Sequence, residues 1–406
     1  MISRSMSRLA WALIASCSCT WLACGGLSSH GNCDPNVSDG GSGGGGTSSG
    51  GGNASGGGSA TGGGSANGGG TATGGGSATG GGSGTGGGSG GGGGSSNRPF
   101  QYSELAMPIT TGSYVDAIAG RPGEVWATTE YGHVLRKTDG GFVDLPGSWT
   151  SELNGLYVAP DGAVMVLSNR EAWGCPGPCN GFADFSMQTV GSSTTDMNAL
   201  CGTSFTDIYA IGNRDNEAIG VLWHFDGVTW TQLSDDLGIT SPGGCFMRSD
   251  GVMWITGTKD VVRWQQGAAT IETLDLDLTV LGSSASSQQW YGVGGFGENI
   301  YAVGADHRVI GRDANAHWTL VSNPPQQQSN FYVLAPVTPT ELFAGGYAFG
   351  SGEVMWWHSD GGTWVASNPD LPFIDGVRAA YVAGPDELYL GGDDGNFAPL
   401  ILRATR

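Results

Sequence analysis

A short motif that recurs seven times constrains the fold of this chain more than any other feature. In each copy an aliphatic residue, often preceded by an acidic one, is followed by an aromatic residue or methionine and then by small residues. The aromatic or methionine positions, which lie 39 to 47 residues apart, are Trp126, Met165, Tyr209, Trp254, Tyr301, Phe343 and Tyr389. Repeats of this length indicate one supersecondary unit per repeat, with each unit packed on its neighbours.

Turn residues divide each repeat into four short strands. An apolar strand comes first and the motif strand second; a third strand leads into an Asp-Gly turn, after which a fourth strand opens with an aromatic residue. Turn signals at intervals of about 8–12 residues, without helical periodicity, are typical of all-β repeat folds. The pattern predicts an all-β, seven-bladed β-propeller over residues 98–406.

The two ends of this region predict how the ring closes. The last repeat stops after its third strand, Pro399 to Arg403, and a lone strand, Tyr102 to Met107, precedes the first repeat. We expect the lone strand to supply the missing outer strand of the last blade. Joining the termini in one sheet removes open edges that would invite aggregation.

The turns before the fourth strands resemble the Asp-box turn of BNR-repeat and photosystem-assembly-factor-like propellers. Asp360 with Trp364, and Asp226 with Trp230, are two copies, and Asp139 opens a third. The spacing around the aspartate is shorter than in the strict motif, and the second and seventh repeats lack it. In such a turn the aspartate accepts backbone N–H bonds, glycine takes a positive φ and tryptophan packs between blades. The resemblance implies a fold and no activity.

Residues 1–23 predict a signal peptide of the lipoprotein type. Met1 to Arg8 holds two arginines and no acidic residue, and the apolar segment Leu9 to Ser16 is too short to span a bilayer. The segment resembles a bacterial lipoprotein signal with cleavage before Cys17 or Cys24. Motif fit favours Cys17, and the length of the apolar region favours Cys24. An acylated cysteine would anchor the protein in the cell envelope, and the lack of a following aspartate implies the outer membrane. The alternative is an ordinary secreted protein.

Residues 24–97 predict a disordered, Gly/Ser-rich tether. The segment repeats units such as Gly-Gly-Gly-Ser-Ala-Thr and offers almost no apolar surface to bury, so no packed structure can offset the entropy of ordering it. The repetitive part from Ser42 to Ser96, about 55 residues, would reach on the order of 40 Å as a flexible chain. The tether would hold the propeller clear of the membrane.

The charge of the propeller region excludes some partners. The chain has a net charge of −20, and only Arg4, Arg8, Asp34 and Asp39 carry charge before residue 98. A surface this acidic repels phosphate backbones and anionic headgroups. We therefore expect no nucleic-acid binding, and contact with a membrane only through the lipid anchor.

Four cysteines of the propeller region are disulfide candidates in an exported protein. Cys175 and Cys179 bracket a Pro-Gly-Pro segment, where a local disulfide is favoured over a metal site because no further ligands lie nearby. Cys201 and Cys245 occupy nearly equivalent positions on the first strands of the third and fourth repeats. They either bridge neighbouring blades or are two small buried hydrophobic residues.

Histidines and acidic loops are interpreted as structural. Three histidines near third strands are repeat-equivalent, namely His133, His224 and His358. His307 is expected to be solvated in a turn, and the Asp393–Asn396 loop to be a hairpin turn, not a calcium site. The long loop from Asn169 to Thr195, together with exposed aromatic residues, is the predicted recognition surface.

The function predicted from the sequence is a cell-envelope binding or scaffold module for a protein or a glycan. The propeller region lacks nucleophile-elbow, zincin, Walker and paired-cysteine zinc motifs, and we expect no cofactor, no metal and a monomer. The alternative is a carbohydrate-active enzyme, a glycosidase or lyase, that uses the channel face. Sialidases share the Asp-box propeller but need an arginine triad, and Arg121, Arg248 and Arg378 cannot be aligned with one.

Overall fold

The computed structural model describes residues 99–110, 113–145, 147, 149, 152–214, 219–274, 276, 288–322, 330–348, 351–360, 363–367, 371 and 374–406. The predicted signal peptide, the tether, Cys17 and Cys24 lie outside these residues. In the part of the chain that is described, no helix has the length and apolar character needed to cross a membrane.

The described strands pair antiparallel into seven four-stranded sheets, numbered here by the chain order of their first strands. Sheet 1 contains β2 Val115–Arg121, β3 Glu124–Thr129, β4 Val134–Thr138 and β5 Gly141–Asp144. Sheet 2 contains β6 Leu153–Val158, β7 Val164–Ser168, β8 Glu171–Cys175 and β9 Ser186–Thr189. Sheet 3 contains β10 Thr195–Ser204, β11 Asp207–Arg214, β12 Ile219–Phe225 and β13 Trp230–Ser234. Sheet 4 contains β14 Cys245–Met247, β15 Met253–Thr256, β16 Val261–Gln265 and β17 Ala268–Glu272. Sheet 5 contains β18 Trp290–Phe296, β19 Asn299–Gly304, β20 Val309–Arg312 and β21 Trp318–Ser322. Sheet 6 contains β22 Asn330–Thr338, β23 Glu341–Ala348, β24 Ser351–Asp360 and β25 Thr363–Ser367. Sheet 7 contains β26 Gly376–Gly384, β27 Glu387–Asp393, β28 Pro399–Thr405 and β1 Gln101–Glu104. A short 3₁₀ helix spans Phe182–Asp184.

The sheets form a closed ring. The first strand of each sheet contacts the first strand of the next, and β26 of sheet 7 contacts β2 of sheet 1. As predicted, the strand before the first repeat completes the last sheet: β1 pairs with β28, so Gln101 lies opposite Thr405 and Glu104 opposite Leu402. This all-β ring is the propeller architecture that the repeat predicts.

The motif strands form the centre of each interface between sheets. In β3, Val125 and Ala127 pack toward sheet 7, whereas Trp126 packs toward sheet 2. Because the second strand of each sheet is covered on both faces, it is apolar at successive positions and does not alternate with polar residues. This explains why the motif dominates the sequence pattern. A tryptophan as fully buried as Trp126 contributes about 3–5 kcal/mol, judged by truncation to alanine.

A disulfide between Cys201 and Cys245 joins sheets 3 and 4. Cys201 lies opposite Tyr209, the motif aromatic of its sheet. Cys245 lies opposite Ile255, which is one residue after the motif aromatic of its own sheet. Successive residues of a strand face opposite sides of the sheet. The offset therefore turns Cys201 toward sheet 4 and Cys245 back toward sheet 3. The second disulfide is local and joins Cys175 to Cys179.

Two of the repeat-equivalent histidines pair with carboxylates. The His133 Nδ1 lies 2.9 Å from Asp144 Oδ2, and the His224 Nε2 lies 3.0 Å from Asp207 Oδ1. The side chain of His358 lies outside the described part of the structure. Their contacts tie neighbouring strands together, as a structural role requires.

The expectation that His307 is solvated is wrong. His307 is 1% exposed, and its ring stacks on Phe331 of sheet 6 with centroids 4.4 Å apart. Its φ of 57° turns the side chain back under the neighbouring sheet instead of toward solvent. Burial lowers the pKa of His307 to about 4.

Candidate functional site

Six of the seven inner strands carry a β-bulge close to their first residue. At each bulge the ladder to the second strand skips one residue, while the residues on either side remain paired. The skipped residues, called the bulge ring below, are Asp116, Asn154, Asn198, Tyr291, Tyr332 and Arg378. Sheet 4 differs, since β14 begins only at Cys245. Bulges of this kind redirect a side chain and are frequent beside functional sites.

Packing on either side of each bulge shows what it does. In β2, Val115 and Ile118 belong to the core between sheets 7 and 1, whereas Ala117 packs between sheets 1 and 2. A regular strand would place Val115 and Ala117 on the same face. Because Asp116 is an extra residue in the strand, Val115 and Ala117 lie on opposite faces of the sheet. Asp116 itself belongs to neither core. Because each sheet starts with its inner strand, all inner strands run in the same direction, and the bulge ring lies at one end of the channel.

Asparagines connect the ring across sheets 2 to 4. The Asn154 Nδ2 donates to the carbonyl of Met197 at 3.0 Å, and the Asn198 Nδ2 donates to the carbonyl of Pro242 at 2.8 Å. In both cases the bulged side chain reaches the chain that leads into the next sheet. These two asparagines therefore hold neighbouring inner strands at a fixed spacing.

Tyrosines occupy the ring at sheets 5 and 6. The rings of Tyr291 and Tyr332 lie 5.1 Å apart, and the Tyr291 hydroxyl donates to Gln289 Oε1 at 3.3 Å. Burial raises the pKa of Tyr291, so this hydroxyl stays protonated at neutral pH. This part of the ring offers aromatic surface with hydrogen-bonding hydroxyl groups.

Charged groups converge where the ring passes from sheet 7 to sheet 1. The Arg378 guanidinium lies 3.8 Å from the centroid of the Tyr114 ring. Burial raises the pKa of Asp116 to about 7; the positive charge of Arg378 opposes this shift, and the carboxylates of Glu130 and Glu152 add to it. Asp116 thus changes charge near neutral pH. Burial also raises the pKa of Glu152, and the negative charge of Glu130 raises it further.

Acidic residues at the opposite end of the ring are neutralised by cations. Glu124 Oε2 lies 2.7 Å from Arg121 Nε, and Glu387 Oε1 lies 2.7 Å from Arg403 Nε. Arg248 pairs with both Asp250 and Glu298. Among the residues that the structure describes, Asp116, Glu130, Glu152 and Asp196 at the bulge-ring end make no such ion pair. These four carboxylates are therefore available to a cationic partner.

The arginines considered for a sialidase triad do not converge. Arg121 is the last residue of the inner strand β2, and Arg248 directly follows the inner strand β14. Arg121 donates to the carbonyl of Pro160 and Arg248 to that of Gly297. Both bonds tie neighbouring sheets together. Arg378 lies at the other end of an inner strand, in the bulge ring. The structure therefore separates the three guanidinium groups.

The predicted repeat-turn residues differ in the contacts that the described part of the structure gives them. Asp226 Oδ1 accepts from the backbone N–H groups of Val228 at 2.9 Å and Thr229 at 2.8 Å, which lowers its pKa. Trp230 stacks on Phe225 with centroids 5.2 Å apart. In the Asp139 turn, Thr138 Oγ1 instead donates to the carbonyl of Gly141 at 3.0 Å. The backbone of Asp360 and Trp364 lies in β24 and β25, and their side chains are outside the described part.

The Asp393–Asn396 segment forms the β27–β28 hairpin loop. Asp394 Oδ1 accepts from the backbone N–H groups of Asn396 at 2.9 Å and Ala398 at 3.0 Å. These bonds use the carboxylate to shape the loop. Nowhere in the described ranges do three or more His, Cys, Asp or Glu side chains group as metal ligands would.

The segment from Asn169 to Thr195 is not one long loop as predicted, because it contains β8, the 3₁₀ helix and β9. Strands β8 and β9 contribute to a small cleft against sheet 3. The cleft has a volume of about 160 Å³, and its lining includes Met165, Phe205 and Trp230. Two polar side chains of its lining are already bonded: Ser186 Oγ donates to the carbonyl of Gly174, and Gln188 Nε2 to that of Val228. The Trp230 Nε1 has no hydrogen-bond partner among the described residues. The cleft thus offers few free polar groups.

The bulge ring was not among the sites predicted from the sequence, although the inner strands share a pattern that marks it. In each of the six inner strands a large apolar residue precedes the bulged polar residue and a small residue or valine follows, as in Val115-Asp116-Ala117 and Val377-Arg378-Ala379. The bulged residue comes 10 or 11 positions before the motif aromatic or methionine. Aligning the repeats on the motif would have shown a polar residue recurring inside an apolar strand.

Comparison with known proteins supports the fold. No protein-family model and no curated protein sequence matches the chain. Among solved structures, YCF48 bound to D1 peptide is similar at 14% identity and a TM-score of 0.55, covering 77% of this chain and 96% of that one. The WD40 β-propeller domain of Doa1 is similar at 11% identity and a TM-score of 0.54, with coverage of 75% and 97%. The extracellular domain of the one-component system BT4673 from B. thetaiotaomicron is similar at 9% identity and a TM-score of 0.53, covering 75% of this chain and 40% of that one. At these identities the likeness shows a β-propeller fold alone.

Proposed function

We propose that this protein is a binding module that holds a segment of another protein at the bulge ring. The bulge ring carries the proposal, because six inner strands each interrupt their ladder to bring a polar or aromatic side chain to the same end of the channel. A strand that only had to pack would not need the extra residue. The ring combines tyrosine and arginine, which are enriched among the residues that dominate binding energies.

The comparisons support a polypeptide ligand over a glycan. YCF48, which shares this fold, is in a complex with D1 peptide. The carboxylates at the bulge-ring end and the neighbouring tyrosines Tyr291 and Tyr332 suit the side chains of a peptide, and a channel end admits an extended segment. A glycan would need many free hydrogen-bonding groups. The cleft between sheets 2 and 3 offers few of them, because the side chains of Ser186 and Gln188 in its lining already donate to backbone carbonyls.

We further propose the setting in which this module works. The protein is an envelope lipoprotein, acylated at Cys17 or Cys24, and the Gly/Ser-rich tether presents a seven-bladed, monomeric propeller away from the outer membrane. The signal-like N-terminus, the composition of the tether and the seven four-stranded sheets support this proposal. Metabolic labelling with a palmitate analogue tests the anchor: label should be lost when the acylated cysteine is replaced by serine.

A peptide-display screen against the purified full chain tests the binding function. Selected peptides should bind the wild type, and Tyr332→Ala and Arg378→Ala should each weaken binding about tenfold. The control is Val228→Ala, since Val228 is 72% exposed in a turn between outer strands and is remote from the ring. Equal binding by the two ring variants and the wild type would contradict the proposal.

A second candidate function, hydrolysis of a glycoside, is favoured by one observation. Asp116, with its pKa raised to about 7, lies beside other carboxylates and the Arg378–Tyr114 pair. A carboxyl that is protonated near neutral pH beside an ionised one is the arrangement of an acid and its partner in glycosidases. Turnover of envelope glycans by the wild type, lost in Asp116→Asn, would establish this function in place of binding.

A further inference from the structure

Two strongly exposed aromatic residues flank the charged part of the bulge ring. Tyr131 is 63% exposed in the loop between β3 and β4, and Phe397 is 69% exposed in the loop between β27 and β28. Ser113 joins the two loops: its N–H donates to the carbonyl of Phe397 at 2.8 Å, and its Oγ accepts from the N–H of Tyr131 at 3.5 Å. The two loops that carry these exposed aromatic residues thus adjoin each other where sheets 7 and 1 meet.

Phe397 is held in an unfavourable backbone conformation. Its φ is 61°, in the left-handed region that bulky residues rarely adopt and that costs about 1–3 kcal/mol. Burial of the side chain could offset such a cost, but most of this side chain faces solvent. The hydrogen bonds of Asp394 hold the loop that presents it. An exposed aromatic residue kept in a strained conformation is a feature of binding sites, where the partner provides the burial.

The same surface joins the ring directly. The N–H of Glu130 donates to the carbonyl of Tyr114 at 3.2 Å, and the ring of Tyr114 lies under Arg378. Tyr131 follows Glu130 in the chain, so the loop that carries its exposed side chain adjoins the charged groups. Aromatic residues and arginine at the centre of one patch are the composition of an interaction hot spot.

The negative charge of this surface determines which kind of partner it attracts. The carboxylates that influence one another around Arg378 outnumber it, and they are Asp116, Glu130, Glu152, Asp375, Asp393 and Asp394. The whole chain adds to this field, with a net charge of −20. Such a surface attracts cations and repels phosphate and carboxylate groups.

We propose that the surface between Tyr131 and Phe397 is the docking site for a basic polypeptide segment. This inference rests on the proposed function and names its ligand. Apolar side chains of the segment pack against Tyr131 and Phe397, and a lysine or arginine of the segment reaches the carboxylates of Asp116 and Glu130. Arg378, stacked on Tyr114, forms the wall on the sheet 7 side.

Fluorescence anisotropy with short labelled peptides and the purified full chain tests the proposal. A peptide of lysine, tryptophan and glycine should bind, and its affinity should fall as salt is added, because exposed charges are screened. Peptides in which glutamate replaces lysine, or serine replaces tryptophan, should bind at least about tenfold more weakly. Equal binding of the basic and acidic peptides would overturn the proposal.

Substitution of Phe397 by glycine separates a binding role from a structural one. Glycine adopts a positive φ without strain, so Phe397→Gly should keep or raise the melting temperature while weakening the basic peptide about tenfold. Tyr131→Ser should weaken it similarly, and the remote Val228→Ser should have no effect. Peptide binding that is lost in Tyr332→Ala but unchanged in Phe397→Gly would overturn this inference and leave the proposed function standing. If no peptide binds the wild type, both are wrong.

Discussion

An ion pair at the seam of the ring should make an unusually large contribution to stability. Arg406 is 3% exposed and Glu341, on β23 of sheet 6, is completely buried. Two parallel bonds join them: Arg406 Nη1 donates to Glu341 Oε1 at 2.8 Å and Nη2 to Oε2 at 2.7 Å. The guanidinium also lies 4.6 Å from the ring centroid of Phe100, which precedes β1. One side chain thus connects sheet 6, sheet 7 and the strand that closes the ring.

Arg406→Met should remove both bonds that the guanidinium makes to the buried Glu341 carboxylate. Removing one partner of a buried pair costs about 3–5 kcal/mol, whereas exposed pairs contribute about 0–1 kcal/mol. For a fold of about 300 residues this corresponds to a fall in melting temperature on the order of 5–10 °C. The double variant Arg406→Met/Glu341→Gln should recover part of the loss, because a neutral amide then replaces the buried carboxylate.

Urea unfolding of the four proteins of this double-mutant cycle, followed by tryptophan fluorescence, measures the coupling. We expect the midpoint to fall in both single variants and the two effects to be strongly non-additive. Arg403→Met is the matched control, since Arg403 pairs with Glu387 at a more exposed site and should cost less. A loss below about 1 kcal/mol in Arg406→Met, or additive effects, would refute the reasoning.

Two further predictions concern stability. Cys201→Ser/Cys245→Ser should cost about 4 kcal/mol and Cys175→Ser/Cys179→Ser about 2 kcal/mol, because the bonds close loops with sequence separations of 44 and 4; equal midpoints in chemical denaturation would contradict this order. Burial of His307 lowers its pKa to about 4, so the folded state should lose stability as the pH falls from about 6.5 through 4. Replacing His307 with leucine should flatten that part of the pH profile, and an unchanged slope would exclude His307 as its source.

The architecture could be predicted from the sequence because it depends on short-range patterns that repeat. The motif strand is covered on both faces in each sheet, so residues such as Val125, Trp126 and Ala127 form an apolar run that marks the repeat. A lone strand at one end and an incomplete repeat at the other predict the closure. These signals need only composition and spacing.

The candidate site could not be predicted in the same way. A β-bulge changes the pairing of one residue, and whether Asp116 is in the ladder or outside it depends on the neighbouring strand. The burial of His307 likewise depends on Phe331, which belongs to the next sheet. A turn that is predicted to be solvated is buried where another sheet covers it. Residues whose role depends on contacts between repeats are therefore the ones that a pattern within a single repeat misses.

A crystal structure of the protein at a resolution that shows side chains would test the account most directly. We predict seven four-stranded sheets, with the first strand paired to the last, and the bulged side chains from Asp116 to Arg378 together at one end of the channel. A ring of six sheets, or inner strands whose ladders run without a bulge at these positions, would contradict it.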